Sequence, residues 1–343
     1  MEKRGRLLLR WGLGLLLAGT MAGGLLPALA GAPGPVRVGV GYVTVGAGMA
    51  PVWVAKEAGL FEAHGLKADL AYVAGTSKLA AAVLAGDVTF ALTGIYGTVA
   101  SVLGGSDLVI LSGTIRAIPF MIMARPEIQK PEELRGKRIG LTRFGSPSEF
   151  AARFALKGWG LEPVKEVAII QTGGVGEALS ALASGAIQAA VLSDPVTLRA
   201  KKMGFRMLAD MSEAKVPYLH HGAVARRPYV AANHEVTLRF MRAHIEGIYY
   251  FMRRPEFSRA VIAKYTRITD PEVLQETHAL YAQKFFQWPP MPLLPGIQTL
   301  LDELAPRVPR AREARPEEFV DLSFYNELER QGFFKLIQGR YGA

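Results

Sequence analysis

One segment of this chain recurs in nearly the same form, and that repeat constrains the fold more than any other feature. Residues 74–94 read AGTSKLAAAVLAGDVTFALTG and residues 172–194 read TGGVGEALSALASGAIQAAVLSD. Each copy is a glycine-containing turn, an alanine/leucine helix, a closing glycine and a short apolar strand ending in a hydroxyl residue. Gly86 and Gly185 are equivalent, so the period is about 99 residues, far longer than a solenoid repeat. Two similar α/β lobes in one chain satisfy such a period, and two lobes of this kind make a cleft.

The first 30 residues stand apart from that globule. Lys3, Arg4, Arg6 and Arg10 precede an apolar run from Trp11 to Leu26, and Ala28-Leu29-Ala30 supplies a small-x-small cleavage pattern. This reads as a secretory signal peptide over 1–30. The run is short and glycine-broken, unlike a membrane anchor, and it lacks an Arg-Arg pair, which points to the general secretion route. The chain has no cysteine. That removes disulfides, thiol nucleophiles, Cys-ligated zinc and a lipidated N-terminal Cys. The expected address is the periplasm. The formal charge is +10, but it is scattered. Its densest part, Arg307, Arg310, Arg312 and Arg315, is interleaved with prolines and acids and reads as a solvated face. No nucleic-acid partner is expected.

Strand and helix signals alternate from Val36 onward, the pattern of sheets covered by helices on both faces. Val36–Tyr42 reads as a strand, Pro51 as the first turn of a helix, Lys67–Val73 as a half-buried strand, and then the first repeat unit follows. The pattern restarts at Pro131, with Lys137–Thr142 echoing Val36–Tyr42, and after Arg227 only helices are expected. Two places suit crossings between lobes: Ile118–Ala124 and Gly222–Arg226. They imply a discontinuous lobe, 36–123 plus 225–343, and a continuous one, 124–224, with two strands crossing at one place as a hinge.

Several segments together resemble a known family. Pro51–Phe61 (PVWVAKEAGLF) with His64-Gly65-Leu66, then Leu84–Val88 (LAGDV), Glu133–Gly140 (ELRGKRIG), Phe319–Phe324 (FVDLSF) and Gly332-Phe333-Phe334 are similar to the nitrate/sulfonate/taurine-type solute-binding proteins of ABC importers. That family includes binders of the thiamine pyrimidine precursor. The resemblance spans the mature chain through the order and spacing of its motifs. It implies a two-lobed periplasmic-binding-protein fold (type II-like) with a double-crossover hinge and a helical C-terminal region. It also implies a monomer that carries a small-molecule ligand to a membrane permease and its ATPase. The favoured ligand is a small organic anion, a sulfonate or carboxylate. The alternatives are a heteroaromatic pyrimidine precursor, or an exported sensor module that feeds a receptor.

Ligands of open α/β sheets gather beyond the carboxyl ends of strands, near helix N-termini. In the first lobe that rule selects Tyr42, Thr44, Thr76, Ser77, Thr93, Gly94 and Tyr96. In the second it selects Arg143, Phe144, Ser146, Ser148, Gly174, Ser193 and Asp194. Each has a second reading. Thr76 or Ser77, and one of Ser146 and Ser148, suit helix capping, and Asp194-Pro195 suits a cap followed by a first-turn proline. Arg143 is the obvious cation for an anionic ligand, and equally a surface arginine. Trp53, Tyr96 and Phe144 either stack on a flat ligand or pack a core. Of His220-His221, one is expected to face the cleft, since neighbours along a strand point to opposite faces. No metal site, cofactor or catalytic residue is expected. There is no G-x-S-x-G elbow, the Gly173–Gly176 run is not a dinucleotide fingerprint, and the family's synthase branch relies on a cysteine-rich motif that a cysteine-free chain lacks.

Overall fold

Ten strands form two five-stranded sheets in a computed structural model that describes residues 34–342. The expected signal peptide lies outside the described residues. The strands are β1 (Val36–Tyr42), β2 (Leu66–Tyr72), β3 (Phe90–Gly94), β4 (Leu108–Ile110), β5 (Met121–Ala124), β6 (Arg138–Leu141), β7 (Ala168–Gln171), β8 (Ala189–Leu192), β9 (Arg206–Asp210) and β10 (His221–Arg226). The first sheet has the order β2-β1-β3-β10-β4 and the second β7-β6-β8-β5-β9. In the first, β1 pairs in parallel with β2 and β3, and β10 runs antiparallel between β3 and β4. In the second, β6 pairs in parallel with β7 and β8, and β5 runs antiparallel between β8 and β9. The two sheets therefore share one plan, and each borrows its antiparallel strand from the chain's passage between them.

The repeat in the sequence is the heart of that plan. The helices Thr76–Ala85 and Val175–Ala183 lead into β3 and β8, the middle strands of their sheets, and every residue of both strands is buried. Their near-continuous apolar composition follows from burial on both faces.

The chain passes from β4 to β5 through residues 111–120 and returns from β9 to β10 through 211–220. The two passages lie side by side: Leu111 N–H donates to Ala223 O (2.8 Å), Thr114 N–H to His221 O (2.9 Å), His220 N–H to Ile115 O (2.9 Å) and Met211 N–H to Phe120 O (2.9 Å). Both lie a few residues before the crossings expected at 118–124 and 222–226. Those apolar runs are themselves strands, β5 in the second sheet and β10 in the first. Burial makes them apolar, and in sequence that looks the same whether a run links two sheets or belongs to one.

After Arg226 the named elements are all helical, as expected. The α-helix Pro271–Leu280 continues as a π-helical turn, Tyr281–Phe285. The long helix His234–Arg253 buries Glu246 beside the first sheet's helices. Its carboxylate accepts from Arg340 (2.6 Å) and Tyr341 (2.5 Å) and lies 2.6 Å from His64 Nε2, which ties the C-terminal helix Phe333–Tyr341 to the body. Burial alone would raise the Glu246 pKa, but these three partners outweigh it and hold the pKa low. The basic stretch is partly engaged: Arg307 donates to Tyr96 OH (2.5 Å) and Arg310 to Leu103 O (3.3 Å).

Candidate functional site

Between the two sheets lies a cleft of about 50 Å³, lined by residues from both sides. The first-sheet side contributes Thr44, Gly46, Gly75 and Thr76, and the second contributes Thr142, Ser146, Ser148, Gly174 and Ser193. Thr44, Thr142 and Ser193 follow the ends of strands, and the others sit at the starts of helices. Thr76–Ala85, Pro147–Gly158 and Val175–Ala183 all begin at the cleft. A helix start leaves backbone N–H groups without intrahelical partners and carries a partial positive charge.

The hydroxyls do not act as the caps that their positions suggest. Gly75 and Ser146 occupy the N-cap positions, and neither helix has a side-chain cap. Ser146 Oγ donates instead to Arg143 O (2.6 Å), while Ser148 Oγ accepts from Thr142 N–H (3.0 Å) and meets Thr142 Oγ1 (2.8 Å). Thr76 Oγ1 is buried with no hydrogen-bond partner. A buried polar group in that state is costly unless something else satisfies it.

The histidine pair departs from the strand rule. His220 precedes β10, so the pair is not bound by strand alternation. Both rings line the cleft, with centroids 3.8 Å apart. Phe120 packs edge-on against His220 at 5.1 Å. Burial drives the His221 pKa down to about 3. It also drives His220 well below 6.5, with the neighbouring ring adding to the effect. Both rings are therefore neutral near pH 7, and the Nδ1 atom of each lacks a partner.

Of the expected residues, Thr44, Thr76, Ser146, Ser148, Gly174, Ser193 and His220 line the cleft. The others sit outside its lining. Tyr42 packs against Trp53 and Tyr72, Ser77 is exposed, Thr93 is buried in β3, and Gly94 abuts Pro147 of the opposite side. Tyr96 is fully buried against Phe150 (5.7 Å) and bound to Arg307, so it is a packing residue. Phe144 is about half exposed. Arg143 is not among the lining residues, but its stem crosses to Gly75, which is, and its Nε is buried without a partner among the described residues. Asp194 is buried behind Ser193. It caps no helix, since Pro195 holds the N-cap position, and burial raises its pKa to about 6. Trp53 is a core residue stacked on Tyr265 at 4.6 Å.

Tyr72, Phe120 and Tyr281 line the cleft without having been expected there, and His221 joins His220 where only one of the pair was expected. Tyr281 comes from the π-helical turn and reaches the cleft from a segment with no local site signal. Only tertiary packing brings it in. Among the described residues no group of three or more His, Asp or Glu is placed to hold a metal ion, and no helix is long and apolar enough to cross a membrane.

This architecture is that of periplasmic binding proteins. The structure matches the alkanesulfonate-binding protein SsuA of Xanthomonas axonopodis pv. citri bound to MOPS (TM-score 0.68, 19% identity, 80% of this chain and 94% of that one). It also matches the periplasmic nitrate-binding protein NrtA of Synechocystis PCC 6803 (TM-score 0.70, 12% identity, 87% and 89%). The chain belongs to the NMT1/THI5-like family, whose model matches residues 47–258. Among curated relatives, the putative binding protein YtlA of Bacillus subtilis is 25% identical over 281 residues, 78% of this chain and 83% of that protein.

Proposed function

We propose that this protein is the exported solute-binding component of an ABC importer, and that its ligand is a small organic anion of the sulfonate or carboxylate type. One observation carries the reading: helix starts and hydroxyls from two separate sheets converge on one cleft. A ligand held there touches both lobes, 36–123 with 225–343 and 124–224. It stabilises the closed arrangement by its differential affinity, and the closed form docks on the permease. Among the described residues no lysine or arginine lines the cleft, so the anion is held by N–H dipoles, hydroxyls and neutral imidazoles.

Ion pairs between the second sheet's helices and the C-terminal helices do not hold the lobes shut by themselves. Lys157–Glu303 (2.7 Å), Lys202–Asp270 (2.8 Å) and Lys284–Glu213 (2.5 Å) each involve a lysine about 40% exposed or more. Exposed pairs contribute roughly 0–1 kcal/mol, which leaves ligand as the decisive term.

The rings of Tyr72, Phe120 and Tyr281 beside the neutral histidine pair favour a second reading, a heteroaromatic pyrimidine. Thermal-shift measurements against sulfonates, carboxylates and pyrimidines separate the two. Stabilisation by anions alone supports the first and stabilisation by pyrimidines alone the second, while a flat response to the whole panel counts against a binding protein.

Thr76→Val is expected to weaken binding of the stabilising sulfonate or carboxylate roughly tenfold, the worth of one charge-assisted hydrogen bond. The unliganded protein should keep its melting temperature, because the lost hydroxyl has no partner. Arg143→Ala is expected to change affinity much less. Titration calorimetry on both variants checks the ranking, and the reverse order would restore Arg143 as the anion's partner.

A further inference from the structure

Behind the cleft lies a second, smaller chamber. Gly48 and His221 line both spaces and form the wall between them. The chamber's other polar lining is Thr114 and His244, set among Met49, Val52 and Leu92. Nδ1 of His221 and Nδ1 of His244 are buried and have no hydrogen-bond partner among the described residues. Two unpaired, buried ring nitrogens around one small space would be costly without a third party. The space has room for about one water, and a buried water makes about three hydrogen bonds. His221 Nδ1, His244 Nδ1 and Thr114 Oγ1 are three partners. The threonine hydroxyl already donates its proton to His221 O (3.0 Å), so toward the chamber it can only accept.

His244 is tied to the hinge on its other side. Its Nε2 lies 2.9 Å from Ser112 Oγ, and Ser112 Oγ accepts from Ala223 N–H (3.0 Å). Ser112 belongs to the outgoing passage between the sheets, and Ala223 follows the returning one. We propose that one ordered water bridges His221 and His244 in this chamber, which makes His244 a positioning residue for the cleft histidine. The connected path runs from the hinge through Ser112, His244 and the water to His221, whose ring faces the ligand. Because a neutral imidazole has one N–H, the bond made at His221 Nδ1 decides whether Nε2 presents a donor or an acceptor to the cleft. The water and its partners do not depend on which ligand the cleft takes. Only the benefit to binding rests on the function proposed above.

Crystals of the unliganded wild-type protein at near-atomic resolution test the first part. One water peak within hydrogen-bond distance of both Nδ1 atoms is expected. A dry chamber, or a direct bond between the rings, overturns the proposal whatever the ligand proves to be. His244→Phe tests the positioning role. Its ring should exclude the water, and the histidine ¹⁵N spectrum should show His221 changing its ratio of Nδ1–H to Nε2–H tautomer. An unchanged ratio in a folded variant overturns that role. The crystal result stands without the variant if the phenylalanine does not fold.

Discussion

Replacing Gly97 with alanine is expected to weaken ligand binding at least about a hundredfold, near 2.7 kcal/mol, while the unliganded protein stays folded. Gly97 lies in the helix Ile95–Leu103 beneath the first sheet's half of the cleft. A Cβ there would fall 2.2 Å from the backbone oxygen of Gly145, which follows β6 of the second sheet. That oxygen cannot rotate away as a side-chain tip can. Restoring van der Waals distance requires about 1 Å of separation between the lobes, enough to turn a hydrogen bond of about 2.9 Å into one that no longer counts. The same Cβ would also crowd Thr76 Cγ2 at 2.6 Å, but that methyl sits on a rotatable bond, and a small loss of melting temperature is its expected cost. The contrast is Gly222→Ala. Its Cβ would lie 2.0 Å from the backbone oxygen of Ser112, inside the paired hinge passages. Gly222 belongs to β10, which lies between β3 and β4 inside the first sheet, so the alanine is expected to impair folding itself. Calorimetric titration beside a melting curve distinguishes the two. Equal affinity in Gly97→Ala and the wild type would sink the closure mechanism.

Acid should unfold this protein steeply, beginning below about pH 6.5. Burial holds His221 and His244 down to about 3 and His220 well below 6.5. In the unfolded chain all three protonate near 6.5. Below that pH the unfolded state binds more protons, so stability falls as pH falls, by about 1.4 kcal/mol per pH unit for each ring. Asp194 works the other way. Its pKa is raised from 3.8 to about 6 by burial, so the folded state takes up its proton first. Between those values Asp194 adds stability as pH falls and offsets one histidine. His278, also lowered by burial, acts in the same direction, so the net slope is at least about two protons, roughly 2.7 kcal/mol per pH unit, against an ordinary stability of about 5–15 kcal/mol. Urea denaturation at pH 7, 6, 5 and 4 reads this slope directly. Asp194→Asn removes the offset and should steepen it by about one proton, roughly 1.4 kcal/mol per unit. A flat stability profile from pH 7 to 4.5 would falsify the account of the buried rings.

Much of this arrangement is legible in the residues. The duplicated segment marks the middle strands of both sheets, because burial on two faces demands an unbroken apolar run and the preceding turn demands glycine. The hydroxyl and glycine tips at Thr76, Ser146, Ser148, Gly174 and Ser193 are legible for a related reason: helix starts collect small donors, and helix starts face the cleft. Phe144 and Tyr96 show where such reading stops. Their side chains are chemically suited to a ligand, yet one is half exposed and the other packs against Phe150.

The sequence by itself determined two repeated α/β halves and a helical remainder, both of which follow from periodicity and composition along a short stretch of chain. Tertiary structure alone decided which side chains meet. Tyr281 reaches the cleft from a distant π-helical turn, His221 joins His220 because the strand begins one residue later than alternation assumes, and His244 comes from the helix behind them. Side-chain direction and long-range packing are set by the whole core at once, and no local pattern encodes them.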